Sequence, residues 1–262
     1  MIKLYKAILG IAFIGLVQSA TAAPEEIQVY LDEFNSPGEF GLDLHNNYVT
    51  ASQSGVASSN LRMLRVTPEL SYGINKNWEL GAYWLTSKGP NQDNNQWRSD
   101  GIKARVKWRP DSSADAEANG SPWYWAANLE IGNLNPRFDP DQRTGELKLI
   151  GVWKKGNWTL GGNFNFDRAL NAGTVLGTTT EFDSKLMYHV GSFTDKPFQI
   201  GLENYAYQGA VSGPLARANT NNTLFLAADF SIYQWDLNIG IGRANGVIED
   251  KTIFKAIIGV PF

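Results

Sequence analysis

The sequence contains no cysteine among its 262 residues, and it has only two histidines and three methionines. Without thiols the chain can form neither disulfides nor thiolate metal sites, and a cysteine nucleophile is excluded. Long hydrophobic runs are scarce as well. The clearest one, residues 7–17, is too short for a membrane-spanning helix, which needs about 20 residues. If the remaining chain crosses a membrane, it must do so with strands whose apolar and polar residues alternate.

An excess of positive charge is also missing. The chain has 23 Lys and Arg against 26 Asp and Glu, a formal net charge of −3, and this gives no case for nucleic-acid binding. Residues 1–22 are predicted to be a secretory signal peptide, because Lys3 and Lys6 precede the apolar run and Ala20-Thr21-Ala22 matches a cleavage site. We therefore expect an exported protein.

Glycine and aromatic residues are plentiful: 26 Gly, 9 Trp, 10 Tyr and 13 Phe. From Phe40 onward, apolar residues alternate with polar ones in segments of about ten residues, which is typical of strands that cross a bilayer. The pattern predicts an all-β, antiparallel up-and-down transmembrane β-barrel over residues 40–262, with both termini periplasmic. Its twelve predicted strands are 40–50, 62–73, 78–87, 98–108, 123–132, 144–154, 157–167, 181–190, 198–207, 222–232, 235–244 and 252–262.

The lengths of the predicted connections favour the same topology. Long connections expected outside the cell alternate with short periplasmic turns such as Lys155–Gly156 and Tyr233–Gln234. The exception is the long connection Arg109–Pro122, which falls where a short turn is expected. We interpret it as a flexible periplasmic loop.

Aromatic residues recur at one end of the predicted strands. Amphipathic rings prefer the membrane interface, so a ring of them at one level indicates a barrel in a bilayer more strongly than alternation does. The residues predicted to lie at this interface are Tyr72, Trp78, Trp108, Trp123, Trp153, Trp158, Trp235 and Phe262.

The last strand, Thr252–Phe262, alternates apolar residues and ends on an aromatic one. In this it resembles the C-terminal strands of bacterial outer-membrane β-barrel proteins, where the signal is read by the barrel-assembly machinery. Pro261 departs from that pattern. The resemblance implies a small Gram-negative outer-membrane barrel, with membrane lipid and the assembly machinery as partners.

Three motifs narrow the resemblance: Phe40-Gly41-Leu42-Asp43-Leu44-His45, Thr67-Pro68-Glu69-Leu70-Ser71-Tyr72-Gly73 and Trp78-Glu79-Leu80-Gly81. They look like the transporter-like barrels associated with aromatic-degradation pathways, which implies a role in uptake.

Residues 23–39 are the part of the chain for which the sequence gives the weakest structural prediction. Ile27, Val29 and Leu31 alternate before Ser36-Pro37-Gly38 interrupts the pattern. The segment could be a periplasmic extension, a short extra strand or a piece of chain inside the barrel mouth. The periplasmic extension is the interpretation adopted.

If the apolar faces contact lipid, the opposite faces enclose a lumen rich in ionisable groups. Unpaired charges there must pair or border water. They either line a hydrated pore or fill it with ion pairs, and the basic run Lys103, Arg105, Lys107 and Arg109 either selects anions or pairs with acids such as Glu130 and Glu79. The predicted pore-lining residues are Asp43, His45, Arg65, Glu69, Glu79, Lys103, Arg105, Lys107, Glu130, Lys148, Lys185, His189, Glu203 and Asp229.

Enzyme chemistry finds little support in the sequence. No G-x-S-x-G motif occurs, no serine accompanies His45, and Asp139, Asp141 and Glu146 lack the spacing of a calcium loop. We expect no catalytic residues, metal or cofactor. The predicted function is a narrow passive channel for small solutes. The alternatives are a structural or surface-interaction barrel with a plugged lumen and, third, a lipid-modifying outer-membrane enzyme.

Overall fold

The structure, a computed structural model, describes residues 26–52, 61–90, 95–136, 138–139, 141–171, 177–193, 196–214, 221–245 and 250–261. Twelve long strands and one two-residue strand form a single antiparallel sheet. They are β1 (Phe40–Ser52), β2 (Leu64–Asn75), β3 (Trp78–Lys88), β4 (Arg98–Trp108), β5 (Trp123–Leu134), β6 (Arg143–Lys155), β7 (Trp158–Ala169), β8 (Thr178–Phe193), β9 (Lys196–Ala210), β10 (Gly213–Pro214), β11 (Asn221–Ile232), β12 (Trp235–Asn245) and β13 (Asp250–Val260).

The sheet closes on itself. Each long strand pairs with the next long strand along the chain, and β13 pairs with β1, with Leu44 opposite Ile258. Only the short β10 lies outside this ring, paired with the end of β9. Closure leaves no free sheet edge, so the ladder hydrogen bonds are satisfied within the barrel, as a bilayer requires. The predicted twelve-strand up-and-down barrel is confirmed.

Tight turns define one end of the barrel, here called the short-turn rim. Lys155 pairs with Trp158 across a two-residue turn in which Gly156 takes φ +58°, and Ile232 pairs with Trp235 across a turn in which Tyr233 takes φ +56°. Positive φ is the conformation that two-residue hairpins favour. The long connections lie at the opposite end, the long-loop rim, and most of their residues are outside the described ranges.

The connection 109–122 lies at the short-turn rim, where the sequence placed it. It is not simply a flexible loop, because it contains helix α1 (Ser113–Ala118). The Asp115 amide donates to the Ser112 Oγ at 3.0 Å, and Ser112 donates back to the Asp115 carboxylate, which lowers the pKa of that carboxyl. Across the described ranges, no helix is both long and apolar enough to span a membrane.

The outward faces of the strands are apolar. Strand β3 shows the rule: Trp78, Leu80 and Trp84 are exposed while Glu79 and Tyr83 point inward and are buried. A fully exposed apolar wall is unstable in water and suited to hydrocarbon.

The aromatic residues predicted at the membrane interface make ring contacts between several pairs of neighbouring strands near the short-turn rim. Trp78 contacts Trp108 (ring centroids 6.1 Å apart), Trp123 contacts Trp153 (6.4 Å) and Trp158 contacts Tyr188 (4.7 Å). Tyr72 lies at the same level beside Phe40 (4.8 Å), and Trp235 is exposed at the end of β12. Phe262 lies outside the described residues.

Candidate functional site

The candidate site is the barrel interior, because that is where the polar side chains collect. All fourteen residues predicted to line a pore are buried or half-buried on the inner face. Ten are buried: His45, Arg65, Glu69, Glu79, Arg105, Lys107, Glu130, Lys148, Lys185 and Glu203. Four are half-buried: Asp43, Lys103, His189 and Asp229. The predicted inward orientation follows from a side-chain period of two in strands that are apolar on the other face.

The described part of the N-terminal segment, residues 26–39, also lies inside the barrel. The Tyr30 amide donates to Asn163 Oδ1 at 2.6 Å, and Asn163 Nδ2 donates to the Tyr30 carbonyl at 2.8 Å. Lys255, on the last strand, donates to the Ile27 carbonyl at 3.1 Å. For these residues the expected periplasmic extension is wrong. The described part of the segment is extended but pairs with no strand, and polar groups of the wall form hydrogen bonds with its backbone N–H and C=O groups instead.

Apolar side chains of the segment pack against apolar residues of the inner wall. On one side Leu31 and Tyr30 form a buried cluster with Ile150 and Val152. On the other, Ile27 and Val29 cluster with residues that include Phe225. These inward apolar residues interrupt the polar lining, and they mark where the segment is held by burial of apolar surface.

Two wall glycines give the segment room. A Cβ at Gly161 would lie 2.2 Å from Leu31 Cδ2, and one at Gly73 would lie 2.3 Å from the Ser36 carbonyl oxygen. Both distances are shorter than any contact between non-bonded atoms, so the wall is shaped to the segment.

Two residues of the basic run, Arg105 and Lys107, are neutralised by acids and covered by the segment. Arg105 Nε donates to Glu69 Oε1 at 2.7 Å, and Arg105 Nη2 lies 2.8 Å from Glu79 Oε1. Lys107 donates to the Glu33 carbonyl at 2.6 Å and lies 4.5 Å from the Phe34 ring centroid. The ion-paired interpretation of this run is therefore favoured, with Glu69 and Glu79 as partners. The proposed partner Glu130 accepts a hydrogen bond from Asn128 (2.7 Å) and lies within electrostatic reach of Lys103.

Arg109, the last member of the run, also faces the segment. Its guanidinium carbon lies 4.1 Å from the Phe34 ring centroid, and its Nε donates to the Lys76 carbonyl at 2.7 Å. This arrangement combines a cation–π contact with a backbone hydrogen bond.

A second ion-pair network surrounds Glu203, whose side chain is fully buried. Glu203 pairs with Lys255 and, at 3.2 Å, with Lys185, which also reaches Asp229 Oδ2 at 2.7 Å. Tyr205 donates to Glu203 Oε2 at 2.8 Å. Each charge in this network has a counter-charge, as burial demands.

His45 lies deep in the lumen, with Nε2 3.0 Å from Glu69 Oε2. That carboxylate is shared with Arg105. Within the described residues, no three His, Asp or Glu side chains are grouped so that they could hold a metal ion.

No protein-family model matches the chain, and no curated protein matches it in sequence. Solved structures do match. The COG4313 outer membrane channel from Pseudomonas putida F1 aligns with a TM-score of 0.58 at 13% identity, covering 90% of this chain and 100% of that one. KdgM porin aligns at 0.55 with 8% identity, covering 85% and 99%. NanC porin aligns at 0.50 with 13% identity, covering 84% and 98%.

At these identities the likeness concerns the fold alone. The chain has the fold of small outer-membrane porins and channels, and the resemblance inferred from the sequence to small outer-membrane barrels is confirmed at that level.

The interior position of the segment and the apolar wall residues that hold it were not predicted from the sequence. Inward-facing Ile150, Val152 and Phe225 sit on strands where the outward face is apolar too, so the alternation is blurred there. Together with Ile27, Val29 and Leu31 they are the signal from which an internal segment could have been predicted.

Proposed function

We propose that this protein is an outer-membrane channel that lets small solutes cross passively. The observation that carries the proposal is the combination of a closed barrel, an exposed apolar outer wall and an inner wall of charged, amide and glycine residues. Such an inner wall would destabilise a dry core, because burying charged side chains costs more free energy than packing apolar ones in their place. A polar lumen that borders water supports solute passage.

The segment 26–39 narrows this lumen, so the solutes are expected to be small. It crosses the interior between β7 and β13, at the level of Asn163 and Lys255. The shared fold with outer-membrane porins and channels supports the same function and an outer-membrane location.

The test is single-channel recording of purified protein in planar bilayers, together with swelling of liposomes in small sugars and amino acids. We expect small, discrete conductance steps. A protein that is folded and inserted but silent in all salts would overturn the channel.

A second function, a structural or surface-interaction barrel with a plugged lumen, is favoured by the hydrogen bonds and cation–π contacts that tie the segment to the wall. Lys107 alone binds the Glu33 carbonyl and contacts two rings, those of Tyr30 and Phe34. The same recordings separate the two functions, because a plugged barrel would conduct only after removal of the segment.

We further propose export by the predicted signal peptide, periplasmic termini, and assembly through the C-terminal strand β13. No enzymatic step is assigned: His45 contacts Glu69, a carboxylate already shared with Arg105. A lipid-modifying activity would be detected as a changed lipid A or phospholipid profile that depends on His45, and we expect no such change.

A further inference from the structure

Four carboxylates line the inner face of β6, β7 and β8, and we call them the acidic wall: Glu146, Asp167, Glu181 and Asp183. Glu146 lies directly opposite Asp167 in the strand register, and Glu181 lies opposite Asn165. On the neighbouring strand β5, Glu130 is directly opposite Glu146. Like charges placed opposite each other across strands repel, so this wall is unfavourable unless neighbouring carboxyl groups share a proton or cations or water lie beside it.

Asn165 gives an independent sign of what the acidic wall accepts. Its side chain is only 5% exposed, and its Nδ2 donates to Asp183 Oδ2 at 2.7 Å. Its Oδ1 is buried and, among the described residues, finds no hydrogen-bond donor; the same holds for Glu181 Oε1 and Asp183 Oδ1. Three buried acceptor oxygens on adjacent strands therefore lack donors. Leaving such groups unpaired costs free energy, and a ligand with several N–H donors would recover it.

Within the described ranges, three lysines lie near the acidic wall: Lys103 on β4 is within electrostatic reach of Glu146 and Asp167, and Lys148 and Lys185 have partners of their own. Lys148 pairs with Glu146 at 3.1 Å and lies 4.5 Å from the Tyr30 ring centroid. Lys185 belongs to the network of Glu203 and Asp229. These lysines balance the acidic wall only in part, whereas Arg105 and Lys107 on β4 pair with Glu69 and Glu79.

The acidic wall is placed where an entering solute would meet it. On β7, Asn163 holds the segment, and Asn165 and Asp167 follow it in the direction of the long-loop rim. The unpaired oxygens thus lie between the segment and the long-loop opening. Glu146 and Asp167 are only half-buried, so the acidic wall borders open lumen at these two residues, while Glu181 and Asp183 lie buried behind them.

We propose that the acidic wall, together with Asn165, is a subsite for small organic amines that enter from the long-loop rim, and that it makes the channel select cations. The ligand class follows from the groups present: acceptor oxygens and net negative charge match an ammonium with N–H donors. A metal ion fits less well, since no three carboxylates in the described ranges converge as ligands. The proposal rests on the channel function, because only a conducted solute reaches this surface.

The first experiment measures binding without conduction. Cadaverine is titrated into the purified full-length protein in detergent by calorimetry, and pentamethonium, which carries the same two charges without an N–H donor, serves as the matched ligand. We expect cadaverine to bind and pentamethonium to bind more weakly. The double variant Glu181→Gln, Asp183→Asn should weaken cadaverine binding by about tenfold or more, since it removes charge-assisted hydrogen bonds.

The control variant is Asp236→Asn, which removes one carboxylate at the short-turn rim, far from the acidic wall. It should leave cadaverine binding unchanged. Folding of every variant is checked by its heat-dependent mobility on gels. Should the double variant fail to fold, Glu181→Gln alone and the comparison of the two ligands on the wild-type protein still decide the question.

Recordings in a KCl gradient provide the second readout. We expect the reversal potential of the wild-type channel to lie toward the equilibrium potential of K⁺, and that of the double variant to lie closer to zero. Cadaverine added on the long-loop side should block the current. Binding of cadaverine to a silent barrel would support the subsite while removing the channel function. A conducting barrel that selects anions, or that binds cadaverine equally in wild type and double variant, would overturn the subsite.

Discussion

The two sides of the barrel interior differ in how their charged side chains are paired. On the side of β2 to β4, Arg105 and Lys107 have carboxylate partners in Glu69 and Glu79, and the segment covers them. On the side of β6 to β8, carboxylates face one another and acceptor oxygens remain without donors among the described residues. On the first side the protein itself supplies the counter-charges, although single atoms such as Arg105 Nη1 lack a hydrogen-bond partner there too within the described part of the chain. On the second side carboxyl groups face one another, and water or a ligand would stabilise them.

Removing residues 26–39 should change the interior most. The deletion exposes Lys107 and Arg109 to the lumen and opens the path between β7 and β13, so we expect single-channel conductance to rise several-fold and cation preference to fall. Planar-bilayer recording measures both quantities. An unchanged conductance in a folded barrel would mean that the segment does not obstruct the path.

A pair of matched substitutions compares the energetics of the two kinds of carboxylate. Glu203→Gln leaves Lys185 and Lys255 without their shared partner, and breaking a buried pair costs about 3–5 kcal/mol of unfolding free energy. Glu181→Gln relieves repulsion from its acidic neighbours, so it should be neutral or stabilising. Urea unfolding in lipid vesicles gives both values. Equal destabilisation by the two variants would contradict the difference between the two sides.

Substitutions that disturb the packing between the segment and the wall should have an intermediate effect on the free energy of unfolding. Gly161→Ala places a Cβ against Leu31 and should cost about 1–3 kcal/mol by overpacking. Adding Leu31→Ala should recover part of that loss, giving a measurable coupling between the two positions. Gly151→Ala is the control, because nothing lies within 4 Å of a Cβ there. If the free-energy changes of the two substitutions were purely additive, Leu31 would not contact position 161.

The smallest effect is expected at the edge of the segment. Lys154 pairs with Asp32, and its side chain is 49% exposed. Exposed ion pairs contribute at most about 1 kcal/mol, so Lys154→Ala should shift the urea midpoint only slightly. A large shift would show that the segment is held at this rim and not by its buried apolar residues.

The strands were predictable because lipid and lumen impose opposite demands on alternate residues. Trp158, Leu160 and Phe164 on β7 are outward and Asn163 is inward, as their alternation indicated. Observed strand ends lie within about three residues of the predicted ones, with β8 and β9 longer than expected. Their extra residues include Gly191 and Pro197, which strand propensity disfavours and pairing across the ladder retains.

The segment was not predictable from local pattern. Ile27, Val29 and Leu31 alternate as a strand would, yet their burial comes from Phe225 and Ile150, far along the chain. The residues predicted to line a pore are buried or half-buried on the inner face, but alternation could not show which of them would pair. Ion-pair partners such as Glu69 with Arg105 depend on strand register and side-chain reach, which one sequence does not specify.

The contacts of the segment also constrain the order of folding. Tyr30 meets a partner 133 residues away, and Ile27 meets one 228 residues away on the final strand. Closing loops of this length is slow, and the part of the docking surface that includes Phe225 and Lys255 is complete only when β11 and β13 have joined the sheet. We therefore expect docking of residues 26–39 to be completed late, after a stage in which the closing barrel has not yet taken up its own N-terminal residues.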